Sequence, residues 1–592
     1  MEPASPRPKR RSPARRASSR SAAPLQAPCE DQAPSGEERQ VATAALVLLR
    51  TFARHGVRVA FGIPGSAVSP IFDALAEVPE ITYVATRHEA IAAFAAMGHA
   101  RATGLPALVL ATSGPGVLNT VTGVAAAYLE ELPLILIAGE IMLADAGRGA
   151  LQDGTLAGLD VHTALRSITR WSSVVVSPHN AAGVAERAFS SATEGRPGPV
   201  FLRVPLDVGV AEAGALISPS APQPPRAPDA AACRDAALHL AAAKRPLLVL
   251  GNGARTAVAE ALALAERLTL PVVTTAHAKG VFPETSPLYV GIIGAGQHPS
   301  VTEYLARTPD VTCIVGSRLG DLATSGFTVD VSGSSATIQI DREPWLIGRN
   351  ARVSHGIVGD AALTLQAILA AAPAEAPPRS RRVRACRSLR PETLTSDAIP
   401  LKPQRVLAAL SEAFPEAVWC VDVGEHLTVA QHYLRIDAPS RYHSMVGLGS
   451  MGSGIGMAIG VKQAWPGATV IGLCGDGGFV MHAGEVLSCV ESSIGVVFVV
   501  FNDGRWTMVD HGFKAAFGRL PKGLPARVAD IGGAAAALGA LGVRVELPED
   551  LAPDVLRAHA AAGRPVVLDV RIDAQECGFI SSRASVRGMS KR

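Results

Sequence analysis

A chain of 592 residues is longer than one hydrophobic core can use, so two to four domains are expected. Apolar content of 48 % with 57 Gly fits a large globular chain rich in strand-turn-helix units, and a formal net charge of only +3 excludes a partner class that depends on a basic surface, such as nucleic acid. No apolar run reaches the ~18 residues that cross a bilayer, which excludes a helical membrane span.

The first 39 residues form a basic tail. Residues 1–28, MEPASPRPKRRSPARRASSRSAAPLQAP, carry seven Lys or Arg against one Glu. Everything after them is therefore net about −3. Pro, Arg, Ser and Ala offer almost nothing to bury, so the tail is expected to be disordered. Arg- and Ser-rich, acid-poor N-termini also serve as organelle transit peptides, but the prolines here oppose an amphipathic helix. The eight cysteines form no CxxC or CxH pair. Several sit in apolar runs, where Cys behaves as a small hydrophobe, and a reducing cytoplasm is the expected location.

Beyond the tail, Pro-rich breaks at 214–231 (GALISPSAPQPPRAPDAA) and 371–383 (AAPAEAPPRSRRV) divide the chain into bodies of 40–213, 232–370 and 398–575. In the first body VRVAFGIPG, ITYVATRHEA, PALVLATSGPG and LPLILIAGE read as strands that end in polar or glycine turns, with the helix AIAAFAAMGHARAT among them. The second repeats the pattern with RPLLVLGNGA, LPVVTT, VTCIVGS and ATIQID. The third does so with AVWCVDVGEH, TVIGLCGDGG, GVVFVVFNDG and RPVVLDVRID. Such alternation predicts an α/β protein of three doubly wound parallel-sheet domains, with ligands beyond the carboxyl ends of the strands.

The most informative of these ends is VIGLCGDGGF, residues 470–479. A strand running into glycines is a phosphate cradle, yet Asp476 sits inside it. A carboxylate facing a diphosphate alone would be strongly repelled; a divalent cation between the two removes the conflict. A Mg²⁺-like ion takes oxygen ligands, and a second set is expected at the end of the next strand, where Asn502 and Gly504 lie in NDG. Gly477 and Gly478 are placed to give backbone N–H groups to phosphate.

GDG followed about two dozen residues later by Asn resembles the signature of thiamine diphosphate enzymes, and within them the acetolactate synthase branch. The resemblance runs through RHEAIAAFAAMGHARATG, ATSGPGVLNTVTG, LPVVTTAHAKGVFPE, DVGEH, GLGSMGSGIGMAIG and GDGGFVMHAGEV, in the family's order. Phe501 replaces the first Asn of the usual pair, while Asn502 keeps the ligand position. The resemblance implies pyrimidine-binding, central and diphosphate-binding domains, with thiamine diphosphate and Mg²⁺ as cofactors. It implies that Glu89 is the catalytic glutamate that hydrogen-bonds the aminopyrimidine. Met451 matches the residue that bends the cofactor, and Pro64, Gly424, Glu425, His426, Gly449, Gly477, Gly478 and Asn502 match cofactor-binding positions. Asp476, Asn502 and Gly504 would hold the metal, and Ser66, Phe94 and Gln152 lie on pocket-lining stretches.

The implied reaction is decarboxylation of a pyruvate-like 2-oxo acid with transfer to a carbonyl acceptor. The implied assembly is a homodimer or homotetramer with active sites shared between subunits, and with no nucleic-acid or membrane partner. Simple decarboxylation or oxidation, a non-catalytic homologue and a nucleotide-binding dehydrogenase are the alternatives. Three positions depart from the branch: Glu425 stands for the common Gln, Leu206 for Lys, and TMVDHGF for GMVxQW, losing the tryptophan. FAD, present in some members, is left open, because GNGART is an incomplete dinucleotide loop and GSRLGD matches only in part.

Overall fold

Runs such as VFVVFN at 497–502, buried at all six positions, have no polar face to give to water and can only form strands covered on both sides. The computed structural model describes residues 42–217, 221–374, 386–524 and 527–576; the basic tail and parts of both Pro-rich breaks lie outside the described residues. Within these, 18 strands form three six-stranded parallel sheets, as the alternating pattern predicts.

The first sheet holds β1 (Val59–Gly62), β2 (Thr82–Ala85), β3 (Ala107–Ala111), β4 (Leu134–Glu140), β5 (Trp171–Val174) and β6 (Pro199–Pro205), in the order 2-1-3-4-6-5. The second holds β7 (Pro246–Leu250), β8 (Val272–Thr275), β9 (Tyr289–Ile293), β10 (Val311–Val315), β11 (Ala336–Asp341) and β12 (His355–Val358), in the order 12-11-10-7-8-9. The third holds β13 (Val418–Val421), β14 (Tyr442–Ser444), β15 (Val470–Gly475), β16 (Val497–Asn502), β17 (Leu541–Val545) and β18 (Val566–Arg571), in the order 14-13-15-16-18-17. The first and third sheets therefore share one topology, while the middle sheet has the order of dinucleotide-binding folds.

Eight helices carry the functional argument: α1 (Glu89–Thr103), α2 (Pro115–Glu130), α3 (Glu425–Tyr433), α4 (Ser453–Ala464), α5 (Asp476–Met481), α6 (Glu485–Glu491), α7 (Thr507–Phe517) and α8 (Ile531–Ala537). The GDGG segment is thus not a free loop. Gly475 ends the strand and Asp476 opens a short helix, so the first backbone N–H groups of α5 are left without partners inside the helix.

The first and third sheets are joined through α1 and α4, whose backbones touch. A Cβ on Gly460 would lie 1.8 Å from the Ala95 carbonyl oxygen, and one on Gly98 would lie 2.3 Å from that of Met457. Residues of both sheets consequently belong to one apolar core, from Val59 and Phe61 through Phe94 and Ile459 to Phe498. The middle domain is fastened separately. Lys279, fully buried, donates to both oxygens of Glu284 at 2.9 and 3.0 Å and to the carbonyls of Gln431 and Leu434 in the third domain. Its partner Glu284 leaves that buried cation neutralised, without which its burial would be costly.

Replacing Gly460 by Ala should separate α1 from α4 and destabilise the protein by ~1–3 kcal/mol. A fall in the denaturant midpoint measured by circular dichroism is expected; an unchanged midpoint would show that the helices can part without cost.

Candidate active site

In the third sheet the chain leaves β13 to one side for β14 and returns to β15 on the other, so a crevice opens beyond the carboxyl ends of β13 and β15. A cavity of about 270 Å³ lies there, lined among others by Gly424, Glu425, His426, Met451, Asp476 and Trp506. Gly449, Gly477 and Gly478 also border it. The glycines are needed for close approach: a Cβ on Gly477 would meet Trp506 Nε1 at 2.7 Å and Met451 Cε at 3.2 Å. The phosphate-cradle segment, the bulky methionine and an indole therefore converge on one spot.

The turn that carries Met451 is held by a residue that motif reading passed over. Asp422, fully buried, accepts N–H bonds from Gly452 at 2.8 Å and Gly454 at 3.0 Å and a hydroxyl bond from Ser453 at 3.2 Å. Burial pushes its carboxyl up from the usual range, while the Gly454 and Gly452 N–H groups pull it down. His426 packs beside Gly424 and Gly475. Burial lowers its imidazole to about 4, so the ring is neutral at ordinary pH, and its Nε2 is buried without a hydrogen-bond partner.

Parallel pairing sets Gly475 opposite Phe501, which brings the next residues, Asp476 and Asn502, to the ends of adjacent strands. Asp476 Oδ1 accepts the Gly477 N–H at 2.6 Å and Oδ2 accepts the Gly504 N–H at 2.9 Å. Burial, and then the neighbouring Asp503, push its carboxyl up to about 6. Asn502 turns its nitrogen to Asp569 and the Ala529 carbonyl, and its Oδ1 is buried with no partner. Gly504 has φ +71°, and a Cβ there would meet Val528 Cγ2 at 2.8 Å.

A diphosphate with a divalent cation fits these residues. The orphaned Asn502 oxygen, the Asp476 carboxylate and the α5 N–H groups offer the oxygen ligands and donors that such a pair requires. Among the described residues no group of three His, Cys, Asp or Glu side chains could hold a metal, so a cation here would depend on mixed oxygen donors and the phosphates.

The first-domain residues gather elsewhere. Glu89 opens α1, with His88 as the N-cap accepting the Ala90 N–H. The Glu89 carboxyl is buried beside Gly116, and its Oε2 accepts from Asn119 Nδ2 at 2.9 Å. Gln152, held at φ +62°, stands against Gly114. Pro64 and Ser66 are exposed after β1, whereas Phe94 is buried against Gly456 of α4, in the contact between the two helices. None of these residues lines the third-domain cavity. What ties Glu89's surroundings to the third domain is Glu485, whose Oε1 accepts the N–H groups of Arg87 and His88, both at 2.9 Å.

Two departures from the expected motif meet in space. His511 Nδ1 lies 2.9 Å from Glu425 Oε2, so the extra carboxylate at the cavity is paired by the histidine of TMVDHGF. A second cavity, about 450 Å³, opens beyond the ends of the middle sheet, lined by Arg101, Asn252, Arg255, Arg318, Asp341 and Arg342 among others. Asn119, Asp422, Glu485, Trp506 and Asp569 were missed by sequence reasoning. Asp422 and Asp569 had a signal: a lone Asp within or just after an apolar strand must have buried partners.

Comparison with known proteins agrees with this geometry. Residues 42–160 match the family model "Thiamine pyrophosphate enzyme, N-terminal TPP binding domain", 233–368 the central domain of the same enzymes, and 422–570 their C-terminal TPP binding domain. The chain belongs to the thiamine pyrophosphate enzymes. Within them it is similar to acetolactate synthases. It is 31 % identical over 553 residues to a probable acetolactate synthase large subunit of Methanocaldococcus jannaschii, covering 90 % of this chain and 92 % of that protein. It is 31 % identical over 564 residues to the acetolactate synthase large subunit of Corynebacterium glutamicum (92 % and 89 % covered). It is 30 % identical over 566 residues to the isozyme 3 large subunit of Escherichia coli (91 % and 96 %).

Replacing Asp422 by Ala should strip two buried N–H groups of their acceptor and release the Met451 turn. A stability loss of ~2–4 kcal/mol and a weaker thiamine diphosphate affinity are expected. Denaturant unfolding and calorimetric titration measure the two; a variant with wild-type values in both would remove Asp422 from the site.

Proposed function

We propose that this chain is a thiamine diphosphate- and Mg²⁺-dependent carboligase that decarboxylates a pyruvate-like 2-oxo acid and transfers the resulting fragment to a carbonyl acceptor, in the manner of acetolactate synthases. The observation that carries the reading is the buried, unpartnered Asn502 oxygen at the strand end beside Asp476, within a fold whose three domains all match the family. When bound, the cofactor supplies the carbanion-forming carbon; the protein supplies its orientation and the proton transfers around it.

The residues divide that work. Asp476, Asn502 and Gly504 would hold the cation, and the Gly477 and Gly478 N–H groups would hold phosphate oxygens, with the neutral His426 ring packed beside Gly424 and Gly475. Gly424, Glu425 and Gly449 border the same cavity, and Met451 would pack against the bound cofactor. Glu89, oriented by Asn119, would supply the hydrogen bond and proton relay toward the aminopyrimidine; Pro64, Ser66 and Gln152 belong to the first-domain half of the site, while Phe94 packs behind it in the helix contact. His511 is paired with Glu425 of the cavity lining.

The site is completed by a second copy of the chain. The cavity has no first-domain wall, and both halves are rimmed by exposed apolar side chains. Leu151 and Leu156, which flank Gln152, are 88 % and 81 % exposed, and Val480, Met481 and Phe517 are exposed on the third domain. FAD, which some family members hold, would take the middle-domain cavity, where Arg101 and Arg255 are already paired with Glu130, Asn252 and backbone carbonyls. The six described cysteines are unpaired, in keeping with a reducing compartment.

Purified protein supplied with thiamine diphosphate, Mg²⁺ and pyruvate should release CO₂ and form acetolactate, followed by mass spectrometry; no turnover across a 2-oxo acid panel would overturn the reading. Glu89→Ala should lose turnover while retaining metal-dependent cofactor binding. Mixed after reversible dissociation, Glu89→Ala and Asp476→Ala chains should recover about one quarter of wild-type activity if sites are shared, and none if each chain uses its own. Absorption near about 450 nm, before and after incubation with FAD, tests the flavin.

A further inference from the structure

The strand β18 contains a carboxylate where a parallel strand covered on both faces should be apolar: VVLDVR, with Asp569 fully buried. Its two oxygens have different tasks. Oδ2 accepts the N–H groups of Ile531 and Gly532 at the start of α8, at 3.1 and 3.2 Å, and lies 3.2 Å from Arg571 Nη2. Oδ1 accepts from Asn502 Nδ2 at 2.7 Å. The second N–H of the same amide goes to the Ala529 carbonyl at 2.9 Å.

Both partners of that amide are acceptors without a proton of their own, so only the nitrogen of Asn502 can face them. The oxygen must then point the other way, and it is this atom that is buried without a partner. Were the amide turned over, the oxygen would confront a carboxylate and a carbonyl, and an NH₂ group would take the place of a metal ligand.

Resting on the functional reading above, we propose that Asp569 is a positioning residue for the metal centre. It does not touch the cation; it orients Asn502 so that an oxygen, not a nitrogen, is offered to it. Outer partners of this kind commonly change metal affinity by about 10–100-fold when removed. Arg571 also donates to the Ala529 carbonyl at 3.1 Å, so that carbonyl keeps a partner if Asn502 is altered.

The test is calorimetric titration of full-length protein with thiamine diphosphate across a series of Mg²⁺ concentrations. Asp569→Asn should raise the Mg²⁺ concentration needed for half-maximal binding by about 10–100-fold. Asp569→Glu keeps a carboxylate as the acceptor for the Asn502 nitrogen and should raise the requirement by less than Asp569→Asn does. An unchanged requirement in Asp569→Asn, or a Glu variant that shifts it as far as the Asn variant, overturns the proposal. If Asp569→Asn loses its fold by circular dichroism, Asp569→Glu decides: a folded Glu variant with the wild-type requirement or a small increase supports the proposal, and loss of fold in both overturns it. Failure of the wild type to bind thiamine diphosphate in a Mg²⁺-dependent way would instead remove the functional reading itself.

Discussion

The contact on which the arrangement depends is the one between α1 and α4, where Gly98, Gly456 and Gly460 let two backbones meet. Side chains larger than hydrogen at these positions would hold the first and third sheets apart and split their common core. The same contact decides where Glu89 goes. It begins α1, and α1 is docked along α4, so the carboxyl settles among residues of its own domain and not against the cavity of its own chain. No first-domain side chain lines the third-domain cavity, which is what the proposed second copy of the chain would supply.

Around the third-domain cavity the buried polar side chains are given specific partners. Glu425 faces His511, and Asp422 is surrounded by N–H groups. Lys402 joins Asp573 and Glu576 at 2.7 and 3.0 Å near the rim. Asp476 is reached by backbone N–H groups and no side-chain cation, and the Asp503 carboxylate adds to burial in raising it to about 6. A buried carboxylate next to an amide oxygen without a partner is the pattern expected where an external cation completes the balance.

Motif spacing and strand pattern carry unequal amounts of information. Alternation of β-branched runs with Ala-rich segments marked three parallel sheets, because buried strands and covering helices impose those compositions directly. It could not reveal that the first and third sheets have the same strand order, since order depends on which edges meet after the chain has folded back. Asp476 stood out because a negative charge among phosphate-binding glycines needs an explanation. Asp569 did not, because its meaning lies in Asn502, 67 positions away along the chain.

Sequence by itself determined the fold class and the family, through local patterns that backbone geometry and phosphate chemistry require. Tertiary structure decided what each departure means. Glu425 and His511, separate oddities along the chain, become one hydrogen-bonded pair once α3 and α7 face each other across the cavity. Phe94, on a pocket-lining stretch by motif, lies inside the helix contact because Gly456 leaves room for it there. The direction of the Asn502 oxygen was decided in the same way: one-dimensional spacing cannot say which end of an amide faces a ligand, and two acceptors placed behind the nitrogen can.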